Sequence, residues 1–65
     1  MKYSTMKESI IIFEKYGLGD EWLEADHDII YGPSIDVKFN KEDEEKVIDL
    51  GWWKNDDSDC WSCHC

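Results

Sequence analysis

The chain has 65 residues and carries seven lysines, no arginine and sixteen Asp or Glu, for a formal net charge of −9 at pH 7. That length holds one domain, residues 1–65, and a domain of this size buries only roughly 60% of its unfolded surface. The charge argues against nucleic acid phosphates or an anionic membrane as direct partners, since the summed field repels both and the arginine fork that reads bases is missing.

Hydrophobic residues at 42%, with four tryptophans, argue against a disordered tail and supply material for a packed core. The longest apolar run, Ile10 to Phe13, is too short for a signal-peptide core or a membrane span. A cytosolic location follows as the expectation, with thiols kept reduced.

Thr5-Met6-Lys7-Glu8 reads as a capping box, Thr5 being the N-cap and Glu8 reaching back to it. Met6, Ile10 and Phe13 then recur at helical spacing with Tyr16 at the edge of their face, and Gly17 is a stop. The spacing predicts a helix over 5–16. Glu21 to Ala25 alternates, with Trp22 on one face and Leu23 and Ala25 on the other. Ile29-Ile30-Tyr31 is β-branched and aromatic, which predicts a hairpin tipped by Asp26-His27-Asp28 and ended by Gly32-Pro33-Ser34. Ile35, Val37 and Phe39 alternate with Asp36 and Lys38, the pattern of a short edge strand.

Asn40 suits the N-cap of a second helix, and Glu42, Asp43, Glu44 and Glu45 fall in its first turns, where the helix dipole favours carboxylates. Val47, Ile48 and Leu50 supply its apolar stripe and Gly51 ends it. Trp52-Trp53 opens an extended segment, Asn55-Asp56-Asp57-Ser58-Asp59 is a polar turn, and Cys60 to Cys65 forms the last strand. Adjacent strand residues point to opposite faces, so one of the two tryptophans is expected to be partly exposed; Trp53 is the candidate contact anchor. The expected fold is α+β: helix, hairpin, helix, hairpin, with two helices on one face of an antiparallel sheet.

Cys60-Trp61-Ser62-Cys63-His64-Cys65 places four metal-capable side chains in six residues. A C-x-x-C pair lets two thiolates reach one ion from a single turn, and zinc favours sulfur and nitrogen at tetrahedral corners. Cys60, Cys63 and Cys65 are the expected ligands of a structural Zn2+, with His27 as the fourth. His64 is the alternative fourth ligand, although on a strand it points away from its two neighbours. Such a site would staple a core that is otherwise small. Unliganded thiols are the competing reading. A redox pair is another, without its usual strand-to-helix context.

Asp26-His27-Asp28 has the residue types of an acid–base site, but a polar hairpin tip explains it more simply. No phosphate-cradling loop is present, and the chain reads as a binding protein rather than an enzyme. Glu42, Glu44, Glu45, Asp56 and Asp57 are the carboxylates expected to face a partner, together with Trp53. Spaced on one surface they would imitate a track of phosphates.

Ala25-Asp26-His27-Asp28-Ile29, Leu50-Gly51-Trp52 and Asp59-Cys60-Trp61 resemble segments of a family of short acidic phage and prophage proteins. That family opens with a helix, carries an Ala-acid-His-Asp segment, and ends with Leu-Gly-Trp, an acidic turn and another Trp. The resemblance covers most of the chain past residue 16. It departs from the family near Ser58 and His64, where aromatic residues would be expected. The chain is similar to the type II-A anti-CRISPR proteins of streptococcal prophages, which inhibit Cas9. The resemblance implies a stoichiometric inhibitor that binds Cas9, or another host nucleic-acid-handling protein with a basic surface, and blocks target-DNA loading or cleavage; a monomer is the separate expectation. Its alternative is a zinc-stabilised phage structural or regulatory module that binds a different host protein.

Overall fold

The computed structural model describes residues 1–65 as two helix–hairpin units in succession. The first helix, α1, spans Tyr3–Lys15, and the second, α2, spans Lys41–Asp49. They stop in the same way. After α1 the Gly17 N–H donates to the Glu14 carbonyl at 3.0 Å and the Leu18 N–H to Phe13 at 3.1 Å. After α2 the Gly51 N–H donates to Ile48 at 2.9 Å and the Trp52 N–H to Val47 at 3.2 Å. This bond pair is the Schellman motif, which needs a left-handed residue; Gly17 and Gly51 supply it at φ 77° and 106°.

The helix starts differ. Asn40 Oδ1 accepts the Asp43 N–H at 2.8 Å, the cap expected for α2. The Thr5–Glu8 box, in contrast, does not form: α1 begins at Tyr3, and its N-cap, Lys2, makes no side-chain cap bond. Thr5 is already helical, and its carbonyl accepts the Ser9 hydroxyl at 2.8 Å. The buried face of α1 is also turned from the expected one. Ser9 and Ile12 point inward, while Ile10 is exposed and Met6, Phe13 and Tyr16 pack at the core's edge. On α2 only Val47 is buried, and Ile48 is exposed, contrary to its expected place in the stripe.

Four short strands follow the helices: β1 at Glu24–Asp26, β2 at Ile29–Ser34, β3 at Trp53–Asn55 and β4 at Cys60–His64. They form one antiparallel sheet in the order β1-β2-β4-β3, so the two hairpins join along β2 and β4. The first hairpin turns on two residues, His27 and Asp28, both at positive φ, and Asp26 belongs to the strand and not to the tip. Trp22 and Leu23 lie outside any strand.

Gly32-Pro33-Ser34 continues β2 where a stop was expected. Proline is tolerated in this inner strand because the register shifts between Tyr31 and Ser34, and the partners in β1 end opposite Tyr31. Gly32 is required by close approach: a Cβ there would lie 2.7 Å from Trp52 Cζ3. The edge strand expected at 35–39 is absent. Val37 N–H bonds the Ser34 carbonyl and Ile35 N–H bonds that of Asp59, and the chain leaves the sheet to carry Phe39 inward. There Phe39 meets the rings of Tyr16 at 4.8 Å, Trp61 at 5.8 Å and Phe13 at 6.1 Å.

Both helices pack on one face, where Ile12, Ile30, Val47, Trp52, Trp61 and Cys63 form the core. Trp52 Nε1–H donates to Ser9 Oγ at 2.9 Å, so the buried indole is satisfied from α1. Trp61 Nε1 has no acceptor, at a cost of about 1–3 kcal/mol. The other face, with Ile29, Tyr31, Trp53, Ser62 and His64, has no helix over it. The accessible surface is 4855 Å², against about 4,300 Å² expected of a closed monomer of this mass.

Candidate functional site

Cys60 and Cys63 sit on β4, with Cys65 directly after it, and strand geometry separates the first two. Successive side chains on β4 alternate, so Cys60, Ser62 and His64 face away from the helices while Trp61 and Cys63 face the core. At about 3.3 Å per residue, the Cα atoms of Cys60 and Cys63 lie roughly 10 Å apart. Two thiolates on one zinc ion, at about 2.3 Å each, lie within about 4 Å of each other. The C-x-x-C pair therefore does not converge in this conformation, because it forms no turn.

All three cysteines are free, and no group of three or more His, Cys, Asp or Glu is arranged to hold a metal ion. Cys63 is 4% exposed, and burial raises its thiol above the ordinary value. Its Sγ contacts the His64 carbonyl at 3.5 Å. The Cys60 Sγ lies 3.9 Å from Ser62 Oγ, and Cys65 is exposed.

One part of the expected set is brought together. The Cys65 N–H donates to the Asp28 carbonyl at 2.9 Å, so the first hairpin tip, with His27, sits against the C-terminal residues. His27 itself is exposed, with Nε2 3.5 Å from Asp26 Oδ1. His64 packs on Trp53, ring centroids 4.8 Å apart.

Of the sixteen carboxylates only Asp43 and Glu44 are half-buried, and both are already engaged within the molecule. Asp43 Oδ2 accepts the Tyr16 hydroxyl at 2.6 Å and lies 2.9 Å from Lys15 Nζ. The Tyr16 hydrogen bond, then Lys15, holds the Asp43 carboxyl below the usual range, and Asp43 in turn raises Lys15. Glu44 pairs with Lys54 at 3.1 Å, and this bridge draws the first turns of α2 beside the second hairpin. Glu42, Glu45, Asp56 and Asp57 thus lie on neighbouring elements, exposed and without a cation partner. Trp53 is on the opposite face from Lys54, since the two alternate on β3, so the expected contact set divides between two surfaces.

A cleft of about 410 Å³ that the sequence reading missed lies between α1 and the β1–β2 hairpin. It is lined by Ile10 and Phe13 of α1, by Trp22 and Leu23 of the following connection, and by Ile30 and Trp52. Glu14, Glu21 and Glu24 line its rim. The available signal was the adjacent pair Trp22-Leu23, which no alternation can place on one buried face of a strand. No helix of this protein is long and apolar enough to cross a membrane. Comparison with family models, with curated proteins and with solved structures finds no match to this chain.

Proposed function

We propose that this protein is a binding protein that occupies a basic surface on a macromolecular partner and excludes the nucleic acid that would otherwise lie there. The observation that carries this reading is the uncompensated charge. Sixteen carboxylates face seven lysines, and only Lys15 and Lys54 are spent in ion pairs with them. Glu42, Glu45, Asp56 and Asp57 are held on capped and hydrogen-bonded segments, the last through its N–H to Asn55 Oδ1 at 3.1 Å. Their positions are therefore organised before a partner arrives, which lowers the ordering cost of association.

The partner class comes from the resemblance to type II-A anti-CRISPR proteins: Cas9, whose positively charged channel holds the guide heteroduplex. The decisive experiment adds the purified protein to guide-loaded Cas9 and follows DNA cleavage and complex formation while salt is raised. Stoichiometric inhibition that weakens as ionic strength screens the contact is the expected result. Unchanged cleavage together with no retained complex overturns the Cas9 assignment. Inhibition that ignores both salt and the combined reversal of Glu42, Glu45, Asp56 and Asp57 to lysine overturns the role given to charge.

A second reading, a structural zinc, has one observation in its favour: the Asp28–Cys65 backbone contact, which sets the turn carrying His27 beside Cys65. It requires β4 to leave the strand conformation so that Cys60 and Cys63 can turn toward one ion. Metal content and thermal melting with and without chelator decide it. Zinc below one equivalent, or a melting temperature that chelator leaves unmoved, removes it.

A further inference from the structure

We infer that the cleft between α1 and the β1–β2 hairpin is a docking site for a basic, amphipathic peptide segment of a partner protein. This rests on the reading above that the partner's surface is basic, and it moves the specific contact away from the acid runs of α2 and the second hairpin. Two observations meet here. Trp22 is 92% exposed and Leu23 67%, beside Ile10 at 46%. Contiguous large apolar side chains in that state mark a contact surface. The rim is purely acidic: Glu14, Glu21 and Glu24 line the cleft, no lysine does, and none of the three is in an ion pair.

The cleft therefore complements a segment with apolar side chains on one face and Lys or Arg beside them. The apolar side chains would fill the space between Phe13 and Trp22, and the cations would meet the rim or the Trp22 ring. A second copy of this chain is disfavoured as occupant, because each copy carries −9 and offers the rim few cations.

The test uses a short synthetic peptide of leucine and lysine at helical spacing and a scrambled peptide of the same composition, which has the charge but no apolar face. Amide chemical shifts of the full chain are followed during titration with each. The expected result is tighter binding of the patterned peptide, with shifts confined to α1 and residues 18–24. Trp22→Ala should weaken it on the order of tenfold. The pair Glu21→Gln and Glu24→Gln should weaken it severalfold and flatten its salt dependence. Asp36→Asn with Asp49→Asn, which removes the same charge from exposed carboxylates outside the cleft, should leave it unchanged.

Equal binding of both peptides, with shifts centred on Glu42–Glu45 and Asp56–Asp59, overturns the cleft while leaving the charge-based reading standing. Absence of binding to either peptide overturns the cleft as well, and the cleavage assay judges the broader reading separately. Concentration-dependent dimerisation of the free chain that Trp22→Ala abolishes would assign the cleft to a second copy and overturn the proposal.

Discussion

The two halves of the molecule use one construction and reach different ends. Each is a helix closed by a Schellman glycine and followed by a hairpin. In the second half Trp52 comes directly after Gly51, and β3 begins at the next residue. The chain has no slack, so the Trp52 ring is driven under α1 and over Gly32, and only 4% of it stays exposed. In the first half the residue after the glycine is Leu18, and β1 begins only at Glu24. The extra length lets Trp22 swing out to 92% exposure and leaves a cleft where the second half has a core. Connection length, more than composition, decides whether a tryptophan holds the fold or stands available to a partner.

Truncating each tryptophan in turn should separate the two halves most strongly. Trp52→Ala removes the ring that spans α1, β2 and the Ser9 hydroxyl, and should cost about 3–5 kcal/mol in urea denaturation. Trp22→Ala should change stability by no more than about 0.5 kcal/mol, as an exposed substitution does. Similar losses from the two would mean that Trp22 packs in solution and that the halves are more alike than described.

A smaller effect tests what the halves share. Alanine at Gly17 or Gly51 forces a Cβ into the left-handed region, at about 1–2 kcal/mol each. Near Gly17 nothing lies within 4 Å of such a Cβ, and near Gly51 the closest atom is Cys63 Sγ at an ordinary 3.6 Å. Contacts therefore add little at either site, and Gly51, whose φ of 106° lies further from the left-handed well than the 77° of Gly17, should cost somewhat more. A much larger loss at Gly51 would show that the second stop also sets the packing of Cys63.

Much of this architecture was readable in the sequence wherever a residue's local chemistry leaves few options. Asn40 caps, Gly17 and Gly51 stop, and the α+β order follows from those punctuation marks and the alternating runs. What failed depended on tertiary context. Ile10 and Ile48 have apolar side chains at helical spacing, yet the sheet is too small to cover both sides of each helix. The 35–39 alternation reads as strand, but Phe39 is claimed by the aromatic cluster. The cysteine cluster is a separate case, because zinc binding stands as a proposal. Its spacing suggests a metal turn, whereas pairing with β2 and β3 holds it extended. The Tyr16–Asp43–Lys15 contact was invisible because Asp43 lies more than twenty residues from the other two.

The helix starts sharpen the comparison further, at lower cost. Asn40→Ala removes the acceptor of the Asp43 N–H and should lose about 1 kcal/mol. Thr5→Ala should lose a few tenths at most, because Thr5 caps nothing and alanine is the better helix former. Equal losses of about 1 kcal/mol, measured by denaturation, would place the true start of α1 at Thr5 and restore the capping box.

The smallest expected effect concerns the Tyr16–Asp43–Lys15 tie between the helices. Asp43 is held ionised chiefly by the Tyr16 hydroxyl and secondarily by Lys15, so its carboxyl titrates below the ordinary value of 3.8. A lowered folded value means that the ionised group favours the native state above that ordinary value, and the contribution fades as pH falls through the folded one. Asp43→Asn should therefore be less stable than the parent at neutral pH, and the difference should close under acid. Lys15 gives the opposite limb: its raised value supports the fold at pH below 10.5 and loses that effect as pH rises beyond it. Denaturation midpoints across pH, with carboxyl chemical shifts to locate Asp43, make the check. A carboxyl that titrates at or above the ordinary value would show that Tyr16 and Lys15 do not hold it in solution. The two halves would then be joined by apolar packing, the Trp52–Ser9 hydrogen bond and the seam between β2 and β4.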